Sequence, residues 1–211
     1  MGHIALHYDA PEDGPKAAKL LKLLGLVETQ ELPLPGGSFY RFVIDPRHQA
    51  RGDGIIYLSS TPPAQRDLTA AIRQMLKVGA PEEHPAVAGM RAALEADPEV
   101  SFHVGILLDS LEELERAVLD IRDRAETDPD LKGRIKIKLN RARPGDADVD
   151  ARLDASLLYG SVSRYAYGRN GVQAFIETNL LSSGPLGESL VIELDYVFPG
   201  KTSHILSVVE L

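Results

Sequence analysis

Read along its apolar and polar positions, the chain begins with a short alternating strand that runs into a helix. In His3–Tyr8, Ile4, Leu6 and Tyr8 share one face and His3, Ala5 and His7 the other. Pro11–Gly14 is a turn that opens a helix, with Pro15 acceptable in its first turn; Ala17, Leu20, Leu21 and Leu24 form the apolar stripe and Gly25 is the stop. Val27–Leu32 and Phe39–Ile44 read as strands joined by a turn at Pro33–Gly37, and Asp45–Asp53 as a polar loop. Gly54–Ser60 reads as a fourth strand, so the order is β-α-β-β-β.

The pattern then changes. Leu68, Ala71, Ile72, Met75 and Leu76 follow helical spacing up to Gly79 and Pro81, and Pro85–Ala96 carries a second helix through Val87, Met90, Ala93 and Leu94. This is expected to be a helical connector. From Ser101 the opening pattern returns: Val104, Ile106 and Leu108 form one face of a strand, and His103, Gly105 and Leu107 the other. A helix follows through Leu111, Leu114, Ala117, Val118 and Ile121, with Ser110 as N-cap and Glu113 three residues on. Arg134–Asn140 alternates, Pro144–Asp154 reads as an acidic loop, and the Tyr- and Gly-rich stretch 159–171 is given no element. Val172–Asn179, Leu190–Phe198 and Ser203–Glu210 read as strands, with Pro199-Gly200-Lys201 a hairpin signal between the last two.

The two starts align residue by residue. At an offset of one hundred, His103 falls on His3, Val104 on Ile4, Ile106 on Leu6, Asp109 on Asp9, Glu112 on Glu12 and Ala117 on Ala17. The expected organisation is an α+β chain of two βαβββ units: 1–60, a helical connector over 61–99, and 100–211 with an extra C-terminal strand.

Composition narrows the function classes. The 211 residues carry a net charge of −8, which disfavours nucleic acid as a partner, and no cysteine, which removes disulfides, thiolate metal sites and a cysteine nucleophile. No apolar run approaches the roughly 18–20 residues of a membrane span, and the N-terminus has no signal-peptide pattern, so a cytoplasmic protein is expected.

GHIALHYD at 2–9, FHVGILLDSLEEL at 102–114 and GESLVIELDY at 187–196 resemble the vicinal oxygen chelate superfamily of glyoxalase-like proteins and extradiol dioxygenases. The resemblance implies units curled into cupped mixed sheets, with a metal held by first-strand histidines and a late-strand glutamate: His3, His103 and Glu193. It also implies a homodimer as a possible assembly. Parity supports that set independently, because all three lie opposite the apolar faces of their strands. Two imidazoles and a carboxylate suit divalent Fe, Mn, Ni or Zn, and such an ion would act as a Lewis acid on a small oxygenated substrate. His7, Tyr57, Lys136 and Lys138 are the expected substrate-binding residues. The first unit departs from the pattern: GIIYLSS at 54–60 has no carboxylate, only Tyr57. The expectations are therefore a metal-dependent enzyme of the glyoxalase or dioxygenase type or, alternatively, a metal-free small-molecule-binding module of the same fold.

Other motifs fail. Asp146, Asp148 and Asp150 have calcium-loop spacing, but Ala151 and Leu157 stand where glycine and glutamate are needed. Gly184–Ser189 lacks a phosphate-loop lysine, and Gly160–Ser163 lacks the second glycine of a nucleophile elbow.

Overall fold

The computed structural model describes residues 2–100, 102–166 and 168–200, with the backbone alone for 48, 49 and 51. Among them the fold is α+β, with a mixed open sheet of eight strands and five α-helices.

The first half runs β1 (His3–Tyr8), α1 (Gly14–Leu23), β2 (Val27–Leu32), β3 (Phe39–Val43) and β4 (Ile55–Ser60). β1 lies parallel to β4, which pairs antiparallel with β3, and β3 with β2. α2 (Pro63–Met75) and α3 (Pro85–Ala96) follow, then a 3-10 turn at Pro98–Val100. The second half runs β5 (His103–Leu107), α4 (Leu111–Thr127), β6 (Ile135–Asn140), α5 (Ala147–Asp154), β7 (Gly171–Ser183) and β8 (Glu188–Val197). Its pairing has the same form: β5 is parallel to β8, β8 antiparallel to β7, and β7 to β6.

The halves join edge to edge. β1 meets β7 antiparallel at His7 and Ser182, so the order β2-β3-β4-β1-β7-β8-β5 forms one sheet rather than two, with β6 on β7 beside this path. β7 manages both pairings because it is long and bulged. Its register against β8 shifts between Thr178 and Ser182, where the Thr178 hydroxyl accepts the Leu180 N–H.

The helix side holds one core. Leu6 and Tyr8 of β1, Val104 and Ile106 of β5 and Ile192 and Leu194 of β8 face Leu20 and Leu21 of α1 and Leu114, Val118 and Ile121 of α4. Burying such side chains supplies most of the drive to fold, about 1.5–3 kcal/mol each when fully buried. Tyr8 marks how tightly the first half closes. Its hydroxyl donates to the Ser38 carbonyl at 2.6 Å, and a Cβ at Gly37 (φ +118°) would lie 2.4 Å from that hydroxyl oxygen.

Three expectations change. Pro144–Asp154 is not a loop throughout, because α5 begins at Ala147 with Asp146 as its N-cap, accepting the N–H groups of Asp148 and Val149. The aspartate spacing that imitates a calcium loop is a helix start. β7 is longer than Val172–Asn179, and the polar loop 45–53 contains a 3-10 turn at Pro46–Arg51. The strand expected at Ser203–Glu210 lies outside the described residues. Among the described residues no helix is long and apolar enough to cross a membrane.

Candidate functional site

The sheet face away from α1 and α4 carries the second half's polar residues. Register places them in rows: His103 beside Val191, Gly105 beside Glu193, Gln173 beside Asp195, Lys138 beside Phe175 and Lys136 beside Glu177. The alternation of β6 and β8 put these side chains on that face, as expected. Their burial is new. Glu193 is only 5% exposed and Asp195 only 8%, and Glu99 of the Pro98–Val100 turn lies close enough to act on Asp195 and to accept from Gln173.

Glu193 sits at the centre of a cluster. Its Oε2 lies 3.2 Å from His103 Nε2, and its Oε1 accepts from Gln173 Nε2. The Gln173 side-chain oxygen Oε1 in turn accepts from Asn140 Nδ2 at 3.2 Å, and Asn140 Oδ1 accepts from Arg164 Nε at 3.0 Å. Asp195 Oδ1 and Glu99 Oε1 are buried without a hydrogen-bond partner. Burial first, then the Glu193 charge and its hydrogen bond to Asp195, push the Asp195 carboxyl up to about 8. Burial also raises Glu99, opposed by a hydrogen bond from Gln173. Burial beside Glu193 thus favours the protonated form of Asp195. Gly105 faces the two, and a Cβ there would stand in ordinary contact with them, 3.6 Å from Asp195 Oδ2 and 3.9 Å from Glu193 Oε2.

Next to this cluster a cavity of about 620 Å³ lies between the connector and the sheet. Lys136, Glu177 and Val191 form its floor, Arg73 comes from α2, and Arg91, Leu94 and Glu95 come from α3. Val191 is the register partner of His103, so the histidine stands at the boundary between cavity and cluster.

The expected residues divide as follows. His103 and Glu193 are together. His3 is not with them. His7 is level with Ser182 and Ser182 with Ser189, so His3 and Glu193 lie on opposite sides of that level on strands running the same way. About eight residues of strand, roughly 26 Å, separate them along the sheet. His3 instead packs at a tilt against Tyr57, ring centroids 5.1 Å apart, and Phe39 packs against the same tyrosine at 5.4 Å. The His7 ring is 3.3 Å from the Ser59 hydroxyl. Lys136 reaches the cavity, 3.6 Å from Glu177. Lys138 is committed to the end of α3, donating to the Leu94 and Glu95 carbonyls and pairing with the Glu95 carboxylate at 2.9 Å.

Among the described residues no group of three or more His, Asp or Glu side chains is set to hold a metal ion. The triad of His3, His103 and Glu193 is not assembled. Sequence reasoning missed Asp195, Glu99, Gln173 and Arg73. Parity puts Asp195 on the face of Glu193, but Arg73 comes from α2 and Glu99 from the Pro98–Val100 turn, whose packing no periodicity reveals. Comparison of the sequence with protein-family models and with curated proteins returns no match.

Proposed function

We propose that the protein consists of two βαβββ repeats and uses the cupped face of the second to bind a small oxygenated molecule, as a metal-free binding module. The observation that carries this reading is the cavity of about 620 Å³ roofed by the connector, whose walls combine apolar residues with charged ones such as Arg73, Lys136 and Glu177. The repeat is supported by the like pairing of the halves, in which the first strand is parallel to the last in each. Ligand-observed NMR against a set of hydroxy acids, catechols and carbonyl compounds is the test. Binding is expected, and it should vanish in Ala92→Trp, which fills the cavity from the exposed surface of α3. Silence across the set, or binding indifferent to that substitution, sinks the reading.

A second reading, the metal-dependent enzyme of glyoxalase or dioxygenase type, is favoured by the 3.2 Å approach of His103 to Glu193. These two would be protein ligands to divalent Fe, Mn, Ni or Zn, which would supply Lewis-acid chemistry. Metal analysis of untagged protein, before and after reloading with each ion, separates the two. Stoichiometric metal that His103→Ala abolishes would replace the binding-module reading with the enzyme; a chain that cannot be loaded leaves the module.

A further inference from the structure

We propose that the cavity takes a small organic monocarboxylate, with Arg73 as its counter-ion and the apolar wall holding its body; this rests on the reading of the cavity as a ligand site.

The charges around the cavity are already matched, with one exception. Arg91 Nη1 binds both Glu83 oxygens, at 2.8 and 2.9 Å, and Nη2 lies 3.4 Å from Glu188. Glu95 is paired with Lys138, and Glu177 faces Lys136. Arg73 stands apart. Its Nη1 donates to the Leu186 carbonyl at 3.0 Å, which pins the guanidinium to the cavity wall, and among the described residues no carboxylate forms an ion pair with it. Glu83 feels the Arg73 charge but is already held by Arg91 and the Gly79 N–H.

A pinned guanidinium with donors to spare suits a planar carboxylate. The other walls set the remaining limits. Glu95, Glu177 and Glu188 also line the cavity, so a second negative charge on the ligand would meet carboxylates. An amine would meet Arg73, Arg91 and Lys136. Ala92, Leu94, Pro98 and Val191 offer an apolar surface. One carboxylate on an apolar body satisfies all of these walls.

Calorimetry on the whole chain tests this with benzoate, phenylacetate and hexanoate, each against its own amide, and with phthalate against benzoate. At least one acid should bind ten-fold or more tightly than its amide, and phthalate no more tightly than benzoate. Arg73→Lys should keep the acid preference and Arg73→Gln should erase it at an unchanged melting temperature. The acid–amide comparison needs no variant, so a misfolded substitution does not protect the proposal. Equal binding of acids and amides, tighter binding of phthalate, or a preference that survives Arg73→Gln overturns it. If neutral compounds in the NMR set bind the cavity while acids hold no advantage, the ligand site stands and the carboxylate falls. If nothing binds, both fall.

Discussion

Folding raises the proton affinity of Asp195. Its carboxyl titrates near 3.8 in an unfolded chain and near 8 in place, mainly because it is buried and then because Glu193 is beside it. Between those values the folded state holds a proton that the unfolded state has released, so stability from this group is full below about pH 4, declines as pH rises, and is flat above about 8. Asp195→Asn should remove that decline and stabilise the protein at pH 8 by about 1–3 kcal/mol, its amide being able to donate to Glu193 without a titrating proton. Urea melts at pH 5 and pH 8 check this; a variant with the wild-type slope would show that the proton lies elsewhere. His103 and Glu193 were legible as a pair because each strand's period of two sets its face. The raised proton affinity of Asp195 was not, because it depends first on burial and then on the Glu193 charge, with a smaller push from the charge of Glu99 on a distant turn.

At the scale of elements, most ends follow from local chemistry. α4 starts where Ser110 Oγ accepts the Glu113 N–H at 3.1 Å, as the spacing of Ser110 and Glu113 implied. Ser110→Ala should cost about 1 kcal/mol, read as a lower denaturation midpoint with an unchanged slope; no shift would mean that water caps the helix equally well. α3 was readable to its last residue, Pro85–Ala96, because proline and apolar spacing both mark it. α5 was not, since an N-capping aspartate followed by acidic residues in the first turn looks like a polar loop when only charge is considered. The bulge in β7 was also illegible: nothing in Thr178–Ser182 announces that one strand must serve β6 along part of its length and β1 beyond it. Pairing partners are long-range facts, and periodicity reports only faces.

For the whole molecule, the seam between the halves is a shared core reinforced by ions. Arg134 binds both Asp13 carboxylate oxygens, at 3.1 and 2.9 Å, and the Asn179 backbone carbonyl, while Lys19 reaches Asp128 and Asp130. The Arg134 hydrogen bond, opposed by burial and joined by Lys16, holds Asp13 below the usual carboxylate range. Stability from Asp13 is therefore present above its unfolded value of 3.8 and lost as pH falls through the lower folded value. Arg134→Met should destabilise the protein by about 1–2 kcal/mol at pH 7 and weaken this acid dependence. Because both halves feed one core, unfolding should be a single transition by circular dichroism and by tyrosine fluorescence; two separated midpoints would mean the halves melt alone. The connector differs from the rest. It is the covalent tie between the halves and also the roof of the cavity, and its exposed turn at Gly79–Glu82 lies between the two roof helices. A protease cut in that turn breaks no strand pairing, so the sheet should survive it. The roof would then become two hinged flaps, each tethered at one end, and a bound molecule would have to hold them shut against their regained freedom. Nicking should thus separate two properties that the intact backbone binds together: the melting temperature would barely move, while residence time in the cavity would collapse.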